Sequence, residues 1–163
     1  MQKPLFTEYE AEELVAAKKY AIAHPLRNTL FRSDQKSNLR EMVVSLRRKD
    51  MQFSDLVLVF GASVRTVSIS GVKSGLRPSA LLQWHGKRIR AIEYNIVHDV
   101  IENRVPTGKQ IKGWHEHFWT DSDEDARIRE PEPPIRNSDI FSILRWCSDR
   151  WNIEGLPSNE ELF

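Results

Sequence analysis

A single cysteine, Cys147, stands in a chain of 163 residues. One thiol can build neither an internal disulfide framework nor a multi-thiolate zinc site, so neither is expected to hold this fold. Cys147 itself reads as an apolar residue of a helix core. No apolar run approaches the roughly 20 residues that a helix needs to cross a bilayer. The opening stretch MQKPLFTEYEAEEL is acidic and lacks the basic-then-apolar pattern of a secretory signal. A phosphate-binding glycine loop, a nucleophile elbow and paired carboxylates in an apolar setting are also missing. These absences lead to the expectation of a compact cytoplasmic protein that is not an enzyme, has no cofactor and makes no contact with a membrane.

What is present is enough for a core. Hydrophobic residues make up 40% and charged residues 29%, a balance that argues for a globular chain and against wholesale disorder. The net charge of +1 hides an uneven distribution. From Ser63 to Ile92 there are six basic residues (Arg65, Lys73, Arg77, Lys87, Arg88, Arg90) and no acidic one. From Arg27 to Lys49 seven basic residues face two acidic, whereas from Glu116 to Glu132 seven acidic face two basic. A basic middle between acidic ends is the electrostatic footprint of a polyanion-binding surface.

Periodicity points to helices. Thr7 followed by Glu10 is a capping-box pattern, and good helix formers continue to His24 before Pro25. Leu39, Met42, Val43 and Leu46 follow helical spacing in a second helix, 38–49. Residues 53–60 and 63–73 read as a helix pair. Ile89, Ile92, Ile96, Val97, Val100 and Ile101 give a long helix, 87–103, and Ile111, Trp114, Phe118 and Trp119 a short one, 108–119. Residues 121–137, acidic and then proline-rich, read as a loop. A last helix, 139–151, carries Ile140, Ile143, Leu144, Cys147 and Trp151 on one stripe. The expected organisation is an N-terminal helix and connector (1–36), a central unit (37–105) and a C-terminal helical segment (106–163) within one mainly α unit.

The stretch SLRRKDMQFSDLVLVFGASVRTVSISGVKSGLR, residues 45–77, resembles the helix-turn-helix of bacterial regulators and transposon-type DNA-binding proteins. Phe53, Leu56 and Phe60 match the first helix, Gly61 the turn, Ser63 the cap, Val64 and Val67 the buried side of the second helix. The resemblance implies a regulator or mobile-element accessory factor that binds double-stranded DNA as a homodimer. A glycine at the turn takes positive φ without steric cost. A serine cap turns free helix amides toward a phosphate. Arg65, Thr66, Ser68 and Lys73 then face the major groove, Arg47, Arg48 and Lys49 meet phosphates, Ser63 caps the helix where a phosphate can sit, and Arg77 is a further DNA-binding residue. Either 87–103 or 139–151 would supply the dimer interface. Departures from the pattern are Val57, Ser70 and Gly71. The continuous run Leu56–Phe60 also has strand length, so an α+β fold with a β-hairpin at 55–70, turning at Gly61-Ala62, is the alternative.

Two further patterns point elsewhere. Asp121, Asp123, Asp125 and Glu132 imitate a calcium loop, but Ala126 replaces its glycine and Pro131, Pro133 and Pro134 block the exiting helix, so a solvated acidic loop is expected. His115 and His117 flank Glu116. On a helix, residues two apart point to different faces, so these histidines, even with His98, are not expected to share a metal. The five tryptophans read mostly as core. The alternative function is that of an adaptor or inhibitor binding a protein partner through the acidic, tryptophan-rich C-terminal third.

Overall fold

A computed structural model of the chain describes residues 6–22, 32–34, 39–48, 56–64, 76–119, 124–136 and 140–156. Among them the order is α1 (Glu8–Ala16), β1 (Lys19–Ala21), β2 (Arg32–Asp34), β3 (Leu39–Arg47), β4 (Leu56–Val64), β5 (Leu76–Trp84), β6 (Lys87–Glu102), β7 (Val105–Trp119), β8 (Asp125–Arg129), α2 (Ile140–Arg150) and β9 (Ile153–Glu154). The mainly α, all-helical expectation is therefore corrected: the protein is mainly β, with a nine-stranded sheet and two helices among the described residues.

The sheet runs in the order β7-β8-β6-β5-β4-β3-β1-β9, with β2 on β3 and a further pairing of β7 with β6. All ladders are antiparallel except β1 with β9. Alternation explains the central strands. Leu56, Leu58 and Phe60 of β4 are buried while Val57 and Val59 are half-buried, and Leu58 lies in register with Val44 and Leu82. That face joins Ala11 and Leu14 of α1 and Ile143, Leu144, Trp146 and Cys147 of α2, with Trp151 just beyond, in one apolar core. Among the described residues no helix is long and apolar enough to cross a membrane.

The helix-turn-helix geometry fails at its turn. Gly61 lies inside β4, paired with Glu41 on one side and Ser79 on the other. The first expected helix, where it is described, is thus strand. The second, 63–73, begins in β4 and then passes outside the described residues. The hairpin alternative has the strand character right but misplaces the turn, because β4 continues through Ala62 to Val64.

The expected helices at 38–49, 87–103 and 108–119 are also strands. Their 3–4 spacing has a specific cause in β6, whose ladder with β7 shifts register between Asn95 and His98 and again between Asp99 and Ile101. Each extra residue breaks the regular two-residue alternation, and the β5–β6 ladder is also irregular, its register skipping Ile89 between Arg88 and Arg90. In β3 the imitation arises because Val43 is apolar but 47% exposed, beside buried Val44 and Leu46. Helix expectations held at both ends of the chain. Thr7 caps α1 through a capping box with Glu10, although α1 stops at Ala16 rather than His24. The stripe Ile143, Leu144, Cys147 and Trp151 is buried as read.

Two tight turns set the long strands. His85 and Gly86 (φ 51° and 73°) join β5 to β6, and Asn103 and Arg104 (φ 49° and 65°) join β6 to β7. Two consecutive left-handed residues give the turn whose twist suits a hairpin. The β6–β7 hairpin then curls until Ile101 pairs with Ile128 of β8, which is itself paired with β7. A backbone bond from Arg104 N–H to Ala126 O (3.0 Å) fastens the tip. Strands β6, β7 and β8 therefore close on one another around a second, smaller interior.

Candidate metal centre

That interior is lined by histidine. In a strand, side chains two apart share a face, and β7 places His115, His117 and Trp119 together. The argument that kept His115 and His117 apart assumed a helix, and the strand reverses it. Glu93 of β6 stands directly opposite His115 in register. The bulge after Asn95 then carries His98 onto the same group. Gly113, at φ +97°, bends β7 just before the histidines, and a Cβ there would meet the Tyr94 ring at 3.3 Å. Both conditions favour glycine at this position. Ala91, Ile111, Trp119, Ala126 and Ile128 are buried in the same region.

The three rings are in mutual contact. His98 stacks on His115 with centroids 4.6 Å apart, His115 lies 4.7 Å from His117, and His98 meets His117 edge-on at 5.4 Å. Trp119 covers the far side of His117, stacked at 5.2 Å with an interplanar angle of 11°. One ring nitrogen from each histidine lies within 4.8 Å of those of the other two.

Each ring is oriented by its Nδ1. That of His98 faces the Asp99 carbonyl oxygen at 3.0 Å, that of His115 the Gly113 carbonyl oxygen at 3.2 Å, and that of His117 an Asp125 carboxylate oxygen at 3.1 Å. A carbonyl or carboxylate oxygen can only accept, so each Nδ1 carries the hydrogen and each neutral ring presents Nε2 as a lone pair. The buried Nε2 atoms of His115 and His117 have no hydrogen-bond partner among the described residues. Glu93 Oε2 lies 3.5 Å from His117 Nε2 and 4.0 Å from His115 Nε2. Acceptors thus converge with no donor among them.

Without a cation this arrangement is relieved by a proton. Burial opposes charge on His117, but hydrogen bonds to Asp125 and Glu93, with their negative charges, outweigh it and raise its pKa to about 9. Burial lowers His115 to about 4; the Gly113 carbonyl and Glu93 oppose this, while the neighbouring His117 and His98 add to it. The hydrogen bond from His117 holds Glu93 below the usual carboxylate range, against its own partial burial.

The other face of β7 anchors the ribbon. Glu116 is buried, accepts from Trp151 Nε1 at 3.1 Å and pairs with Arg150 at 3.3 Å. Its pKa is raised by burial, which the nearby arginines and Trp151 oppose. Arg90, buried beside Phe118, pairs with Glu12 of α1 at 2.7 Å. The sequence His115-Glu116-His117 therefore divides its chemistry: the histidines face the small interior and the glutamate ties the ribbon to the helices.

No protein-family model, curated protein or solved structure matches this chain.

Of the residues expected to meet DNA, Arg47, Arg48, Ser63 and Arg77 are among those described. Arg47 ends β3, exposed, and Arg48 follows it half-buried. Ser63 and Arg77 face each other across the β4–β5 ladder. Leu39 pairs with Ser63, so Arg47 lies at the opposite end of β3 from this pair, roughly 25 Å away at strand rise. Lys49, Arg65, Thr66, Ser68 and Lys73 lie outside the described residues, as do Asp121 and Asp123. Asp125, read as part of a solvated acidic loop, instead orients His117. The strand at 56–64 gives the DNA-binding expectation no support. Missed by sequence reasoning were His98, His115, His117 and Glu93 as a group. The available signal was the period-two placement of His115, His117 and Trp119.

Proposed function

We propose that this protein binds one divalent transition-metal ion through His98, His115 and His117. The observation that carries this reading is the convergence of acceptor nitrogens beside a carboxylate, with every Nδ1 already committed to an oxygen. Metal-ligating histidines characteristically have such partners on the second nitrogen, because these fix the tautomer and aim the lone pair. Imidazole suits zinc, iron, nickel and copper. Imidazole nitrogens bind zinc at about 2.0–2.1 Å, so a tetrahedral ion holds them roughly 3.3 Å apart. Modest side-chain rotation closes the present spacing to that value.

The test is metal content. The full chain is equilibrated with Zn(II), Co(II), Ni(II) or Fe(II), freed of excess metal and assayed by mass spectrometry. One ion per chain is expected for at least one metal. Melting should rise with free metal, by about 2.7 kcal/mol of stability at a hundred times Kd. The paired substitution His115→Ala and His117→Ala should abolish both effects while far-ultraviolet circular dichroism still reports a folded β protein. Failure of every metal to bind at micromolar concentration, or equal binding by the double variant, would overturn the reading.

A further inference from the structure

The position of Glu93 says more about this centre than that a charge is nearby. Its Oε2 stands 3.5 and 4.0 Å from two buried nitrogens that lack hydrogen-bond partners. Ligand atoms held by one first-row ion at about 2.0–2.2 Å lie roughly 3–3.5 Å apart. The two observed separations are close to the edges of such a coordination polyhedron. Three imidazoles, with one ring nitrogen each within 4.8 Å of the others, and one carboxylate beside two of them also form a chemically consistent donor set.

We propose that Glu93 is the fourth protein ligand, and that the ion keeps at least one outward position open to a small anionic oxygen ligand such as a carboxylate. This inference rests on the metal reading above and gives it a ligand class. Openness follows from where the donors originate. Glu93 and His98 belong to β6, His115 and His117 to β7, and all four project from one face of that two-stranded ribbon. Donors from a single face occupy one side of an ion. Four protein ligands close a tetrahedral zinc site, but zinc can expand to five-coordinate, so four donors crowded on one side leave a further position free. The solvent side is marked by Glu93, whose side chain is 46% exposed while that of His115 is fully buried. Near this side lies a fixed positive charge. The Arg88 guanidinium sits 4.6 Å over the ring of Trp119, the same ring that stacks on His117. A cation in the centre and a guanidinium beside it select an anion.

Co(II) is the probe, because its ligand-field absorption reports ligand type and number. The full-length chain, E93Q and E93D are loaded with Co(II). Affinity is measured by chelator competition, and each spectrum is recorded before and after addition of azide and then of acetate. Loss of an oriented second partner costs 10–100-fold in metal affinity, so loss of a direct ligand should cost E93Q about 100-fold or more. Its absorption band should also change. E93D, which keeps a carboxylate, should recover part of the affinity. Azide and acetate should each shift the wild-type band. Glu93 is half-exposed, so metal-free E93Q should melt as a folded protein does, which separates ligand loss from unfolding. If E93Q binds within about threefold of wild type with the same spectrum, Glu93 is not a ligand. A wild-type band insensitive to both anions shows a closed centre and overturns the open position. Absence of any Co(II) or Zn(II) binding by the wild type removes the metal reading itself, an outcome distinct from either of these.

Discussion

The molecule has two interiors that obey different rules. Between the β3–β5 region and the helices, Leu58, Phe60, Leu82, Leu144 and Trp151 fill space with apolar atoms. Inside the curl of β6, β7 and β8, three histidines press against one another beside a carboxylate. The first interior is stabilised by removing hydrocarbon from water and by close packing of apolar groups. The second buries polar atoms whose cost is offset only if something satisfies them. The strands are alike; what differs is the bulged, glycine-bent backbone of β6 and β7, which turns one sheet face into a lined hollow. A sheet that only needed a core would gain nothing from that distortion.

The largest effect should come from the apolar side. Leu58 is fully buried at the centre of β4 and is separated from β6 by β5. Leu58→Ala should cost about 2–5 kcal/mol, the usual range for a leucine cavity. In a chain of this size that lowers the melting temperature by roughly 2–4 °C per kcal/mol. The affinity of the folded fraction for metal should not change. Denaturant titration of the metal-free protein, paired with metal titration of the folded variant, checks both halves. A Leu58→Ala protein that loses metal affinity while folded would show that the two interiors are one cooperative unit.

This division also explains what could be read from the sequence. Helix α2 was legible because its apolar stripe, Ile143, Leu144, Cys147 and Trp151, meets one core at regular spacing. The cap of α1 was legible because Thr7 and Glu10 act locally. Strand β4 was half-legible: the run Leu56–Phe60 has strand length and character, but the Phe-Gly-x-Ser pattern drew it into a helix-turn-helix. Strand β6 was illegible for a definite reason. Its irregular ladders break the two-residue alternation, and buried Ile89 and Ile92 fall three residues apart. Once β7 was taken for a helix, His115 and His117 fell on different faces and the candidate centre disappeared. Reading β7 as a strand would have brought those two together, but His98 is reached only through a bulge that no local pattern announces.

A pH-dependent effect sharpens the contrast from the other direction, because a buried lysine lies on the apolar side. Lys19 is fully buried, and its ammonium donates to the carbonyl oxygens of Leu14, Val15 and Ala17 at 2.7–2.8 Å, closing the C-terminal end of α1. Desolvation, reinforced by the nearby positive charge of Arg48, lowers its pKa from 10.5 to about 7. The sign follows from proton counting. Between about 7 and 10.5 the unfolded chain holds this proton more tightly than the folded one, so stability rises with pH across that window. Below pH 7 the penalty is fully present. Stability measured at intervals from pH 6.5 to 10 should therefore climb in wild type relative to Lys19→Met, whose side chain cannot titrate. A flat difference would mean that the three carbonyl bonds to the ammonium cancel the desolvation and that Lys19 titrates like a surface lysine.

The smallest effect tests whether the helices matter to the histidine-lined interior at all. Helix α1 touches both sides: Leu14 enters the apolar core, while Glu12 pairs with Arg90 at 2.7 Å and Arg127 at 2.9 Å on the outer face of the ribbon. Thr7 is exposed and acts only on the start of that helix, where its hydroxyl accepts from the Glu10 N–H at 3.2 Å and Glu10 accepts from the Thr7 N–H at 2.6 Å. Thr7→Ala removes the hydroxyl acceptor and leaves Glu10 in place, so about 1 kcal/mol should be lost. The loss should appear in denaturant midpoints with an unchanged slope, since neither the core nor the exposed area on unfolding is altered. Metal affinity should stay at the wild-type value, because the contacts of Glu12 lie a full turn beyond the cap. A measurable fall in metal affinity would carry a different message. The first turn of α1 would then be holding Arg90 and Arg127 in place, and through them the curvature that brings His98, His115 and His117 together.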